Sequence, residues 1–316
     1  MEVLTAVDDE RITAQRRKDE FFWLDLADPS AEDLDALEAA LGLHPVAMED
    51  TREFGQRPKV DAYRDHVLLV FYTARPADPG GDRLIEPIEV HVYVSGHWIV
   101  TVRRRPCMDL DKLHDELMPE TIEAEDYLVY RILDTLTDAL FPVVEALEER
   151  IDELEAEVLE QPQRRHLRGI YRTKQEVQEL NRLIAGQREQ FQGAAGAILT
   201  LAELSKGTRE YLRDIGDHLQ QIKSELQRQT DDLAALTSTY FNATTDKVNR
   251  TATRLSVIAT FFIVWTLITG FFGQNFSWLV DNVESRTDFL VFGVGGFVVP
   301  TFALAAILWW KRRDWF

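Results

Sequence analysis

Residues Leu255 to Asn275 read LSVIATFFIVWTLITGFFGQN, and this stretch decides the fold. From Leu255 to Gly273 it contains no Asp, Glu, Lys, Arg or His. A second uncharged run follows at Phe289–Trp310. Each is long enough to cross a bilayer as a helix, which takes ~20 apolar residues. The flanking charges give a topology. Arg250 and Arg254 precede the first run, and Lys311, Arg312 and Arg313 follow the second. The connection 274–288 holds Asp281, Glu284 and Asp288 against Arg286 alone. The positive-inside rule then puts both termini in the cytoplasm and the short loop outside.

The rest of the chain reads as soluble and acidic. In 316 residues, 35 Lys and Arg face 54 Asp and Glu, a formal charge of −19. Phosphate binding needs clustered cations, so nucleic acid is excluded as a partner and attraction of cations is favoured. The single cysteine, Cys107, rules out an intrachain disulfide framework. No phosphate loop, nucleophile constellation or metal-hydrolase motif marks the chain as an enzyme.

Working outward from the membrane runs, residues 1–125 read as an α/β domain. Strand patterns lie at Phe21–Leu26, His66–Thr73, Leu84–Val94 and His97–Arg103. A helix capped at Asp28-Pro29-Ser30 runs through Leu41. Residues 126–206 read as an acidic helical hairpin broken at Gln161-Pro162-Gln163. From about Gly207 a heptad pattern through Leu212, Ile215, Leu219, Ile222, Leu226, Gln229, Leu233, Leu236 and Tyr240 runs without a breaker into the first span. One helix over Thr208–Gly273 would be ~100 Å long and needs other helices to pack on, from its own chain or from identical subunits. Residues 207–254 form its stalk, 255–273 and 289–310 the spans, 274–288 the outer loop and 311–316 a basic tail.

Continued into the first span, the same spacing gives Asn249, Ala252, Ser256, Ala259, Ile263, Thr266, Gly270 and Gly273, all but one small or polar. Leu255, near its lower end, joins these residues as a candidate pore-lining position. The other faces carry Phe261, Phe262, Val264, Trp265, Leu267, Phe271 and Phe272. Two functions fit such a stripe. One is close helix packing through small residues. The other is a pore lining repeated around a ring of subunits, since two helices alone cannot enclose a water path.

The tract Leu267-Ile268-Thr269-Gly270-Phe271-Phe272-Gly273-Gln274-Asn275-Phe276 resembles the signature of the CorA family of divalent-cation transporters, whose core is Gly-Met-Asn. Leu255-Ser256-Val257-Ile258-Ala259-Thr260 and the tail Lys311-Arg312-Arg313-Asp314-Trp315-Phe316 are similar to that family as well. So are His44-Pro45-Val46-Ala47-Met48-Glu49-Asp50, Gln56-Arg57-Pro58-Lys59-Val60 and Tyr211-Leu212-Arg213-Asp214-Ile215-Gly216-Asp217-His218. The resemblance implies a funnel-shaped homopentamer whose long helices line the ion path. It also implies passive conduction and closure by cytoplasmic metal bound between subunits. Gly273, Gln274 and Asn275 then form the entrance. Asp214 stands where the family places an inter-subunit metal ligand, Asp217 lies one turn on, and Asp78 is near the partner acid's position. The chain departs from the family at Gln274, where Met is usual, at Val264 for proline, and at Ala252 for a bulky methionine. Ser277-Trp278-Leu279 replaces an acidic Met-Pro-Glu. The zinc-associated ZntB branch also varies the middle signature residue.

The chemistry narrows the ion without fixing it. Mg²⁺ sheds water reluctantly and prefers oxygen. A ring of neutral Asn275 carbonyls would hold the hydrated ion loosely enough for release, with Asp281 and Glu284 raising cation concentration at the mouth. Neither span nor the loop offers His or Cys, so bare tetrahedral Zn²⁺ has no ligands there. Hydrated Co²⁺, Ni²⁺ and Zn²⁺ stay open. His44, His91, His97 and His114 are scattered and read as structural. No tightly bound cofactor is expected; the divalent cation is substrate and candidate regulator. The expected function is a Mg²⁺ conductor. Its alternatives are a ZntB-like Zn²⁺ importer driven by protons and a non-conducting membrane-anchored metal sensor or scaffold.

Overall fold

The computed structural model describes residues 2–18, 20–77, 81, 83–117, 125–198, 201, 208–274, 277, 281 and 285–310. They fall into two compact units, Met1–Thr237 and Ser238–Phe316.

The first unit is built on a six-stranded mixed sheet. Its order is β1 (Glu2–Leu4), β2 (Phe22–Ala27), β6 (Trp98–Arg103), β5 (Ile85–Val94), β4 (Val67–Pro76) and β3 (Lys59–Ala62). β1, β2 and β6 run parallel, and the remaining neighbours are antiparallel. Parallel neighbours need a crossover. Helix α1 (Asp9–Lys18) supplies the first, and the second includes α2 (Ala31–Leu41) and α3 (Pro45–Glu53). The apolar runs of β4 and β6 are buried almost continuously rather than at alternate positions, as expected where both faces of a sheet are covered. Leu34, Leu37 and Met48 of α2 and α3 join Leu24, Val70 and Val100 in one core.

After α4 (Met108–Leu117) come α5 (Glu125–Asp138), α6 (Leu140–Glu160) and α7 (Arg164–Ile198), and these three approach β4. The side-chain amide of Gln187 pairs with both backbone groups of Tyr72, accepting from its N–H at 2.5 Å and donating to its C=O at 3.1 Å. Glu176 accepts from the backbone N–H groups of Leu84 and Ile85 at 2.7 and 2.9 Å. Helix α7 is thus fastened to the sheet by polar clamps as well as by Phe191 edge-on to Phe71.

The four expected strands and the helix capped at Ser30 agree with this unit to within a few residues. The break at 161–163 separates α6 from α7, but α5 precedes them, so this region holds three helices rather than a two-helix hairpin. Ser30 caps α2 in a reciprocal box with Asp33. Helix α8 (Thr208–Phe272) is continuous for 65 residues, and its heptad positions Leu212 through Leu236 are buried. Gln229 among them donates to the Val144 carbonyl at 2.8 Å. In the first unit the heptads therefore pack on the chain's own helices.

The second unit holds the upper part of α8 and helix α9 (Arg286–Trp310). A Ser285–Asp288 capping box starts α9, wide π-helical turns follow at Phe289–Val294, and Pro300 lies inside it. Both helices are long and apolar enough to cross a membrane. Leu267, Phe302 and Trp309 are about three-quarters exposed, a surface suited to lipid rather than water.

Candidate functional site

Partial burial on α8 within the second unit recurs at Thr253, Val257, Phe261, Val264 and Ile268. From the edge of that face the Trp265 indole donates to Thr301 Oγ1 of α9 at 2.9 Å. Ala252, Ser256, Ala259, Ile263, Thr266 and Gly270 are all exposed. At 3.6 residues per turn the two sets lie roughly 140° apart. The small-residue stripe therefore faces largely away from the half-buried side. Its lower end, at Asn249, Ala252 and Ser256, borders a groove whose far wall is Leu304, Ile307 and Leu308 of α9. Its upper end, at Ile263, Thr266 and Gly270, shares one open groove with Gln274.

The stripe has oxygen atoms to offer. Thr266 donates its hydroxyl proton to the Phe262 carbonyl at 2.7 Å, one turn back on its own helix. That bond removes the cost of a polar group in an apolar segment and leaves the oxygen lone pairs as acceptors. Helix α8 ends at Phe272, where the N–H of Gly273 reaches Thr269 O at 2.8 Å. A Cβ at Gly273 would sit 3.1 Å from Thr269 O, a tight contact that glycine avoids. Asp281 is exposed. Asn275, Glu284, Asp78 and the tail 311–316 lie outside the described residues.

A second group lies in the first unit. Asp214 on α8 is half-buried and Asp217 exposed. The Tyr130 hydroxyl on α5 donates to Asp214 Oδ2 at 3.0 Å, and Tyr130 stacks on Tyr211 with centroids 4.7 Å apart. Burial, and then that bond to a carboxylate, push the Tyr130 pKa well above the ordinary phenol range. Close by in sequence, His218 and the pair Asp134 and Asp138 bring three ligand atoms within 4.8 Å of one another. Burial, and then the charge of Asp138, hold the Asp134 carboxyl above its usual range.

The sequence reading missed this trio and Tyr130. A signal was present, because Asp134 and Asp138 share a helix face at i, i+4. Their meeting with His218, some eighty residues on, is a matter of tertiary packing. The other histidines are structural where the described contacts define them. His44 Nδ1 caps α3, and His91 is fully buried between Thr51 and Glu89.

Comparison with known proteins agrees with this architecture. Residues 18–313 match the family model described as CorA-like Mg²⁺ transporter protein. The cobalt/magnesium transport protein CorA of Thermotoga maritima is 28% identical over 285 residues, covering 87% of this chain and 77% of that one. The zinc transport protein ZntB of Yersinia pseudotuberculosis is 25% identical over 297 residues, covering 93% and 87%. Among solved structures, the complete CorA magnesium transporter of Methanocaldococcus jannaschii superposes with a TM-score of 0.78 at 19% identity, covering 93% of this chain and 91% of that one. A family match across nearly the whole chain, joined to the same fold and two membrane-length helices, makes this protein a member of the CorA-like Mg²⁺ transporter family.

Proposed function

We propose that the chain is one subunit of a homo-oligomeric channel that passes hydrated divalent cations, with Mg²⁺ as the main substrate and Co²⁺ or Ni²⁺ also admitted. Both termini lie in the cytoplasm of a bacterial inner membrane, and five subunits surround the path. One observation carries this reading: the small and polar stripe of α8 is exposed on the side largely turned from the half-buried face. A stripe devoted to packing within the chain would be covered. Repeated around an axis, these residues give a narrow lining with Thr266 and Ser256 oxygens for the ion's water shell, and bind weakly enough for release. Gly273, Gln274 and Asn275 form the entrance, and Asp281 and Glu284 enrich cations before it.

A regulatory role for Asp214 belongs to the same proposal. Metal held between Asp214 and an acid of the next subunit, Asp78 for instance, keeps the path shut, and Tyr130 presents the carboxylate. Asp217 lies one turn along the same helix.

The ZntB-like alternative draws on Gln274 in place of methionine and on similarity to a zinc transport protein. The test is cation uptake into liposomes containing the purified protein, with and without a pH gradient. Mg²⁺ entry indifferent to the gradient and lost or made unselective in Asn275→Ala supports the channel. Zn²⁺ entry driven by the gradient overturns it in favour of a zinc importer. Absence of all flux from folded oligomer overturns both in favour of a sensor or scaffold.

A further inference from the structure

This acidic chain carries a cleft walled by arginine. The cleft lies in the first unit, holds about 420 Å³, and is lined by Arg83, Arg104 and Arg105 together with Phe54. Small-molecule sites run from roughly 300 to 1,000 Å³. Arg104 and Arg105 leave the end of β6, Arg83 stands just before β5, and Phe54 closes the C-terminal end of α3. The fold therefore gathers three guanidinium groups that lie far apart in sequence or on separate strand ends.

The nearby carboxylates are mostly committed. Arg83 Nη2 donates to Glu179 at 2.6 Å, and Glu86 accepts from both Arg75 and Arg105 at 2.6 Å. The Arg75 hydrogen bond first, and then the charges of Arg105, Arg75 and Arg83, hold Glu86 below the ordinary carboxylate range. One carboxylate is thus shared among three arginines. Glu89 also lines the cleft, but it is turned to the Gly55 and Gln56 amides and to His91. Arg104 has no carboxylate partner among the described residues. It donates to the Arg52 carbonyl and rests 4.6 Å over the Phe54 ring. Glu53 is exposed and opposes an anion there, with no ion pair among the described residues.

Donors remain to be used. A guanidinium carries five N–H groups. Among the described residues, Arg83 Nη1, Arg104 Nε, and Arg105 Nε and Nη2 have no hydrogen-bond partner. All three arginines are exposed. Their planar forks match phosphate oxygens two at a time. A phosphate chain offers oxygens in several directions and more than one charge, so it can engage three forks together. A lone carboxylate engages one or two. The wall is also strained: Phe54 holds φ 56° with ψ 178°, a conformation that belongs to glycine. Such strain gathers at ligand sites, and here the strained residue carries the ring on which Arg104 rests. The chain's charge of −19 repels anions at long range, so recognition depends on these local contacts.

We propose that Arg83, Arg104 and Arg105 form a binding site for the polyphosphate group of a small anion, inorganic pyrophosphate or a nucleoside triphosphate. The site is complete within one chain and does not depend on conduction.

The experiment is calorimetric titration of the full chain, purified in detergent and kept in excess EDTA so that no protein-bound metal recruits the phosphates. Pyrophosphate, ATP and orthophosphate are titrated in parallel. The expected result is one pyrophosphate per subunit, with orthophosphate weaker because it reaches fewer forks. Arg104→Gln and Arg105→Gln each lower pyrophosphate affinity by about tenfold or more, the worth of one charge-assisted hydrogen bond. Glu53→Gln raises it, a gain that a misfolded variant cannot mimic. ATP binding equal to pyrophosphate supports the site and puts recognition in the phosphate chain; tighter ATP binding supports it and identifies a nucleotide as the source. Failure of the wild type to bind either compound, or wild-type affinity in both arginine variants, overturns the site. Orthophosphate binding as tight as pyrophosphate overturns the polyphosphate assignment. The readout is binding rather than uptake, so the channel reading can fail without touching this result.

Discussion

Glu89 shows how one carboxylate can hold a strained segment. Phe54 and Gly55 both have positive φ, at 56° and 76°, and for phenylalanine that backbone is unfavourable. Glu89 accepts from the N–H of Gly55 at 2.6 Å and of Gln56 at 3.1 Å, and pairs with His91 Nε2 at 2.8 Å. Burial works to raise its pKa. The His91 hydrogen bond and charge and the two backbone amides outweigh burial and leave it below the ordinary value. A carboxyl with a depressed folded pKa contributes stability above its unfolded pKa, and that contribution is lost as pH falls through the folded pKa. Glu89→Gln turns an amide NH₂ towards donors. It is expected to cost about 1–3 kcal/mol near neutral pH, read by denaturant unfolding. The difference from wild type should shrink as the pH drops through the carboxylate range. A constant difference down to strong acid would mean that Glu89 acts through packing alone.

Elements were legible where the pattern is local and long. Helix α8 reads from its heptads, and α2 from Ser30 and Asp33, because spacing and capping are properties of neighbouring residues. β1 has three residues and β3 four, too short to show a period; β1 exists only by pairing with β2, some twenty residues on, and β3 by pairing with the next strand, β4. The membrane stripe was legible as a stripe, but its orientation needed the half-buried side of α8 and the Trp265–Thr301 bond. Asp134, Asp138 and His218 could not be joined from spacing, because α5 and α8 meet only after folding.

Gln187→Ala strands the N–H and C=O of Tyr72, both buried in β4, so unfolding should be easier by about 1–3 kcal/mol in urea. No change would mean that water replaces the clamp. Gly270→Leu tests the stripe. A Cβ at Gly270 meets nothing within 4 Å in the chain, so the added bulk leaves the isolated fold undisturbed. Near-complete loss of Mg²⁺ uptake, with unchanged oligomer size, is the expected outcome if the stripe lines the path. Uptake at the wild-type level would move the path elsewhere.

At the scale of the whole molecule, two questions turn on what one chain cannot do. An α8–α9 pair with an exposed polar stripe has no means of enclosing water, so conduction requires copies. The purified protein should have a protein mass of five 36.4-kDa chains by native mass spectrometry, and a smaller closed ring would still allow a pore of other diameter. The driving force follows from the charges. The uncharged spans 255–273 and 289–310 carry no group that can exchange a proton near neutral pH. Proton coupling in membrane transport works through ionisable residues within the spans or a water-filled cavity between them. On the proposed path a cation meets only amide, hydroxyl and carbonyl oxygens, and the acids Asp281 and Glu284 lie in the connection between the two apolar segments. Mg²⁺ entry should therefore follow the membrane potential: a potassium diffusion potential, negative inside, accelerates uptake into liposomes. A pH gradient imposed at zero potential leaves the rate unchanged. Acceleration by the pH gradient alone would require a titrating group on the ion path outside the two apolar segments, and would shift attention from the spans to the loop acids or to the acids of the soluble unit.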